Sequence, residues 1–442
     1  MRGIGLRFAA FSALDDLVPL YGLYAVLFAD TGLSDAQIAS LFAIWSLTSV
    51  ALEVPSGALA DVVSRRRLLA VASLLRGVGF ALWTFAPSYP AFAAGFVLWG
   101  AGGALTSGTL QALVHDELVA IDADGEYQRL SAGAETARLV AAALGTLAAV
   151  PLHAAGGYLA VGVASVATCV GGAVVALSFP MRPRLVPVDG PTGVRAWLTM
   201  LHSGVREAAG VPAVRRLVLL AALLPGMAAL DEFFPLVALD LGAAVTVVPV
   251  LVVLPMLGQL VGGATAAWQR SGVLVGIAVG AGGALIAGGA LSGSVWWGFA
   301  AIAVGYGAVQ HAIVVADARL QASVRGQARA TVTSVAGLGA ELAALLLYAA
   351  WGITAAPLGQ GGALAAAAAP LLGLGVLLAL WLRFPRRDSG ADGGAADGGP
   401  IANGGPGAGG GPGAGGGAIA NGGPIVDSGP IANGEDVTSS PF

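Results

Sequence analysis

Apolar stretches close to 20 residues long recur along this chain, and they constrain it more than any other feature. The hydrocarbon core of a bilayer is about 30 Å thick, so a helix rising about 1.5 Å per residue needs about 20 apolar residues to cross it. Twelve such spans can be drawn, at 8–29, 37–60, 68–87, 91–114, 134–152, 157–179, 217–239, 243–267, 272–291, 295–317, 329–352 and 363–384. The runs are continuous rather than alternating, which excludes a membrane β-barrel. Composition agrees: 57% of residues are apolar and 10% charged, against about 25% charged in soluble domains. The turns carry Gly, Pro, Asp or Ser, as in Asp30-Thr31-Gly32-Leu33-Ser34 and Pro87-Ser88-Tyr89-Pro90. The expected fold class is an all-α polytopic membrane protein with twelve transmembrane helices.

Arginine placement tests this map. All 21 basic residues are Arg. Twenty fall at or near the span ends on one side, or in the loops there, and Arg76 alone lies deep inside a span. The positive-inside rule then places these loops and both termini in the cytoplasm, as expected for a plasma or inner membrane protein. The first 29 residues do not read as a cleaved signal, because Asp15 and Asp16 interrupt their apolar stretch.

Several chemistries lack support. The lone Cys169 excludes an internal disulfide. No Walker A sequence and no His-rich ligand pattern occur, so no cofactor or metal is expected and the chain does not read as an enzyme. His115-Asp116-Glu117 sits at a helix end with no second His nearby. The bases lie in short runs under a membrane, which gives nucleic-acid binding no basis. A monomer is expected.

The segment 181–216 is the longest internal connection, and its stretch 194–211 has the makings of an amphipathic surface helix. It divides an N-terminal six-helix bundle, 1–180, from a C-terminal one, 217–387. Residues 388–442 hold 19 Gly, six acids and no base, the composition of a disordered tail. The formal net charge of −4 therefore averages an acidic tail with a body of net +2. The two bundles share a motif. Ala13-Leu14-Asp15-Asp16-Leu17-Val18-Pro19-Leu20 in span 1 matches Ala229-Leu230-Asp231-Glu232-Phe233-Phe234-Pro235-Leu236 in span 7, and Asp116 at the end of span 4 echoes Asp317 at the end of span 10. Two six-helix pseudo-repeats are a common build of secondary transporters.

Charges inside the spans carry the chemistry. Each costs about 2.5–3.5 kcal/mol at a helix centre on insertion scales, so each must face a cavity or a partner. Asp15, Glu53 and Arg76 each lie eight or nine residues from a cytoplasmic charge, or about 12–14 Å deep. They are candidates for a charge cluster. Asp15, Asp16, Glu53, Arg76, Asp231 and Glu232 are the candidate proton-coupling residues; a static ion pair locking three helices is the alternative. Tyr21, Tyr24, Trp45, Phe233, Gln259, Gln310 and Glu341 are candidates for the substrate path, although each alone also suits plain packing.

The segment Gly57-Ala58-Leu59-Ala60-Asp61-Val62-Val63-Ser64-Arg65-Arg66-Arg67 resembles the cytoplasmic signature of the major facilitator superfamily, roughly G-x-L-A-D-r-x-G-R-[RK]. Val62 replaces the usual first base and Ser64 the usual turn Gly. Leu52-Glu53-Val54-Pro55-Ser56-Gly57, Leu113-Val114-His115-Asp116-Glu117-Leu118 and Arg329-Ala330-Thr331 resemble one branch of that superfamily, whose members carry general efflux or transporter labels. The resemblance implies alternating access, with Gly57, Asp61, Arg65 and Arg66, and by extension Asp116 and Asp317, forming a cytoplasmic gate. It also departs: Phe96 stands where drug-exporting relatives usually carry an Arg. The expectation is a secondary transporter of a small organic solute, running as proton-coupled efflux. Proton-coupled uptake and a non-transporting sensor or scaffold on the same fold are the alternatives. Its expected partners are the solute, protons and the lipid bilayer.

Overall fold

The structure, a computed structural model, describes residues 2–180, 206, 210–268, 271–324 and 328–382. Most of the 181–216 connection and the whole 388–442 tail lie outside the described residues. Among the described residues the chain is helical and without strands. In the first half α1 is Arg2–Asp16, α2 Tyr24–Asp30, α3 Asp35–Val62, α4 Arg65–Phe85, α5 Tyr89–Thr106, α6 Thr109–Val119 and α7 Tyr127–Leu177. In the second half α8 is Pro212–Ala228, α9 Phe234–Asp240, α10 Val248–Thr265, α11 Gly272–Ala290, α12 Val295–Ser323, α13 Ala328–Ala368 and α14 Pro370–Trp381.

Among the described residues, ten helical segments are long and apolar enough to cross a membrane. Two of them, Asp124–Leu177 and Thr331–Trp381, have 54 and 51 residues, which as straight helices would run about 75–80 Å. Both instead double back at glycine. Gly157 (φ 59°, ψ −155°) and Gly359 (φ 72°, ψ 169°) occupy backbone space that a Cβ forbids. Neighbour contacts show the reversal. Early α7 runs alongside α1, with Leu130 at Gly5 and Gly145 at Val18. Late α7 returns along α4, with Gly162 at Thr84, Cys169 at Gly77 and Gly172 at Ser73. The end of the second long segment likewise returns along α11, with Gly361 at Ala290, Leu371 at Gly283 and Leu382 at Gly272. The described chain thus makes twelve crossings. The 353–362 stretch, drawn as a connection between spans, is helical apart from Gly359.

The first crossing of each half is broken. In half one a 3-10 turn, Pro19–Gly22, separates α1 from α2; in half two the turn Ala229–Phe233 separates α8 from α9. The proline ring removes a backbone donor, so both sites are natural breaks. Ser34 then starts α3 with a capping box: its hydroxyl accepts from Gln37 N–H at 3.3 Å, and the Gln37 side chain accepts from Ser34 N–H at 3.0 Å.

In lipid, helices gain little from apolar burial against one another and associate through close packing, so small residues line the contacts. Gly258 and Gly262 of α10 lie on the backbone of α12 at Ala303 and Gly307, and Gly282 and Gly289 of α11 lie on α12 at Gly305 and Gly298. A Cβ on Gly258 would overlap the Ala303 carbonyl. Gly258→Val is therefore expected to destabilise the protein by roughly 1–3 kcal/mol or more, as overpacking does. Thermal unfolding in detergent micelles would show it, and an unchanged midpoint would refute the contact.

The largest apolar cluster spans both halves; Phe42, Phe233, Tyr348 and Trp351 meet in it on the Arg-free side, and within the second half it continues the other way through Leu220, Val275 and Leu378. Toward the Arg-bearing side the cores of the two halves separate. One cluster there (Phe8, Phe11, Val114, Phe179) belongs wholly to the first half and another (Val218, Leu320, Val332) to the second. The halves are zipped by α3 against α13, running antiparallel through Asp35–Gln360, Phe42–Tyr348 and Ser46–Glu341. The molecule is closed on the Arg-free side.

Candidate functional site

The two acids at the end of α1 point to different helices, as neighbours about 100° apart must. Asp15 pairs with Arg76 of α4, and Asp16 with Arg138 of α7 at 2.8 Å. Arg138 also holds Glu135 at 2.7 Å, one turn back on its own helix. Gly102 leaves room for the Arg76 stem, since a Cβ there would press on Arg76 Cγ at 2.9 Å. Arg76 is 5% exposed. Arg138 falls near the start of the 134–152 span; α7 begins seven residues before that span, at Tyr127, and places Arg138 beside the buried Asp16. Its i,i+3 spacing from Glu135 was the signal for a helical pair.

Glu53 does not join this cluster. Its carboxylate accepts from Ser107 Oγ at 3.3 Å and stands near enough to Glu341 for their charges to interact. Glu341 accepts from Ser46 Oγ across the halves at 2.5 Å.

A small cavity of about 40 Å³ lies between the halves, room for about three waters at one probe sphere each. The first half lines it with Tyr21, Tyr24 and Thr146, the second with Asp231, Glu232, Gln259 and Tyr306. Tyr24 donates its hydroxyl to the Glu232 carboxylate across the halves. Tyr306 donates to the Ala228 carbonyl, freed where α8 ends, and sits beside Asp231. Tyr21 stacks on Trp99 (5.2 Å, 9°), and Trp99 in turn stacks on Phe96. No basic residue forms an ion pair with Asp231 or Glu232 among the described residues, whereas Asp15 and Asp16 each have an Arg.

This asymmetry has a register cause. Asp30-x-Gly32 closes α2 and Asp240-x-Gly242 closes α9, each Gly at positive φ (88° and 91°). Both Asp residues clip the following hairpin of their half: Tyr158 O–H donates to Asp30 at 2.5 Å, and Gly361 N–H to Asp240 at 3.0 Å. In this frame the halves are offset by 210 positions, while the acidic pairs are offset by 216. The two pairs therefore differ in depth by six residues, about 9 Å along a helix. Tyr21, not Asp15, is the structural counterpart of Asp231.

Of the other path candidates, Phe233 stacks on Trp351 at 3.9 Å, Trp45 packs on Trp99, and Gln310 is buried on the face of α12 one turn beyond Tyr306. None of the three lines the cavity. Among the gate candidates, Arg65 pairs with Asp116 inside the first half, and Arg66 donates to the Phe179 carbonyl at 3.2 Å. Gly57 is open, with nothing within 4 Å of a built Cβ. Asp317 accepts from Gln321, whose amide also reaches Thr333 of α13 at 3.1 Å. The Asp61 side chain lies outside the described residues. No group of three or more metal-ligating side chains occurs among the described residues.

Twelve helical crossings whose halves meet around a buried polar cavity have the architecture of a membrane transporter. A family model for the Major Facilitator Superfamily matches residues 7–340, and the chain belongs to that family. Similar solved structures are the nucleoside transporter NupG (TM-score 0.65, 13% identity, 86% of this chain and 100% of that one) and the POT family transporter PepTSo (0.63, 14%, 86% and 98%). A further POT family transporter, in complex with a thioalcohol-conjugated peptide, scores 0.65 at 13% identity over 86% of this chain and 96% of that one. No curated protein matches the sequence.

Proposed function

We propose that this protein exports a small organic cation in exchange for protons, by alternating access around the cavity at Asp231 and Glu232. The observation that carries this reading is the charge inventory of the spans. Asp15 and Asp16 are neutralised by Arg76 and Arg138, while Asp231 and Glu232 face the cavity without an ion-pair partner among the described residues. Unpaired acids inside a bilayer call for a positive guest. Cargo and proton then compete for the same carboxylates, and competition of that kind is the physical basis of exchange. Asp15, Asp16 and Arg76 act as a scaffold in this reading rather than as the titrating site.

The hydrogen bond from Tyr24 to Glu232 ties the site to closure of the Arg-free side. An ionised carboxylate accepts strongly, and a protonated one about half as strongly. Protonation thus loosens the contact that keeps this side shut. Arg65, Arg66, Asp61, Asp116 and Asp317 form the gate at the other side, with Arg65 and Asp116 paired at home while that gate is apart. By arginine placement that side is the cytoplasm of a plasma or inner membrane, and the two rocking units are the bundles 1–180 and 217–387.

The test is purified protein in liposomes with an imposed pH gradient, assayed with organic cations. Cation flux opposite to proton flow is expected. Flux in the same direction would make the protein an uptake system, and flux indifferent to the gradient would refute coupling.

A further inference from the structure

We infer that the cavity selects ammonium groups that still carry N–H donors, primary amines first, and that the Tyr21 hydroxyl sets this preference. The inference rests on the reading of the cavity as the cargo site. Tyr21 is 6% exposed and lines the cavity, and its hydroxyl has no hydrogen-bond partner among the described residues. A buried hydroxyl left unsatisfied costs about 1–3 kcal/mol, so a group that satisfies it gains by that much. The hydroxyl hydrogen of Tyr24 is committed to Glu232. Acceptors remain around the acids, in the carboxylate oxygens of Asp231 and Glu232, the Tyr21 oxygen and the side-chain carbonyl of Gln259, beside the hydroxyl and amide donors of Tyr21, Thr146 and Gln259.

A primary ammonium brings three donors to such a set, and a quaternary ammonium brings none. The usual compensation for a quaternary group is an aromatic box that offers ring faces. Here the Tyr21 ring is stacked on Trp99 and met edge-on by Phe80 at 6.3 Å, so the stacked ring face is not offered to a guest. Size acts in the same sense. A space of about 40 Å³ admits an aminomethyl head more readily than a trimethylated one. The other half offers no copy of this acceptor, because the register offset places Asp231 opposite Tyr21.

The test uses the full chain in detergent micelles and four probes, 2-phenylethylamine and its N-methyl, N,N-dimethyl and N,N,N-trimethyl derivatives, with binding measured by calorimetry. Affinity is expected to fall along the series, by at least about tenfold from first to last, as for a charge-assisted hydrogen bond. Tyr21→Phe keeps the stack on Trp99 and should reduce the ratio to about threefold or less, with the elution profile of the native protein. Asp231→Asn should weaken all four probes together. Equal or tighter binding of the trimethyl probe, an unchanged ratio in Tyr21→Phe, or no binding of any probe would overturn the inference. The functional reading fails separately. Amine preference without gradient-driven flux would refute the exchanger and leave this inference standing; gradient-driven flux without amine preference would do the reverse.

Discussion

Glu232→Gln is expected to uncouple transport from the proton gradient while leaving the protein folded. The substitution keeps the shape of the side chain and an acceptor for the Tyr24 hydroxyl, but it removes the group proposed to take up the proton. One pH unit is worth about 1.36 kcal/mol per proton, so a tightly coupled one-for-one exchanger sustains up to about a hundredfold cation gradient across two units. In the variant that ratio should fall to about one, with passive exchange of labelled cation surviving. Asp231→Asn should act in the same direction, because both acids line one cavity. Glu53→Gln is the informative control, and Asp15→Asn serves as one only in the double variant with Arg76→Gln. Asp15 is held by Arg76, and Glu53 is hydrogen-bonded to Ser107 away from the cavity lining. Coupling that survives Glu232→Gln and Asp231→Asn but is lost in Glu53→Gln would move the proton site to the Glu53–Glu341 region.

Arg76→Gln is expected to cost about 3–5 kcal/mol, because it strands the Asp15 carboxylate between packed helices without its charge partner. The Arg76 side chain is 6% exposed and the Asp15 side chain 18%, so solvent offers little replacement. Asp15→Asn alone should be comparably damaging, leaving a guanidinium inside the bilayer. The double variant Asp15→Asn/Arg76→Gln should recover most of the loss, since two neutral partners can hydrogen-bond. Inactivation half-life in detergent is the appropriate measure, as membrane proteins of this size commonly unfold irreversibly. Arg65→Gln provides the contrast. The Asp116 side chain of that pair is 44% exposed, and exposed pairs are worth about 0–1 kcal/mol. If the double variant is no more stable than the singles, the buried pair is not the cause of the loss.

Much of the architecture was legible in residue order. Spans of about 20 apolar residues and Arg gathered on one side follow from bilayer thickness and charge placement, and they describe the all-helical, multi-pass membrane fold. The doubling back at Gly157 and Gly359 was less visible, because a single glycine in a long apolar run looks like packing until its φ and ψ are known. The candidate acids were legible by type, since any carboxylate in such a run stands out. Their division into paired and unpaired was not. Asp15 and Asp231 occupy equivalent places in a shared motif, and nothing local distinguishes them.

The sequence by itself determined that the chain lives in a membrane, which side carries its arginines, and which few charges lie inside it. These are properties of composition along one dimension, and the bilayer reads them directly. Tertiary structure alone decided which charges are neutralised. Arg138 reaches Asp16 across 122 residues and Tyr24 reaches Glu232 across 208, contacts fixed by helix packing rather than by neighbours in sequence. The six-residue slip between motif and fold is the clearest case. Turn glycines and proline breaks set how deep each acid sits, and depth decided that Asp15 meets an arginine while Asp231 meets a cavity.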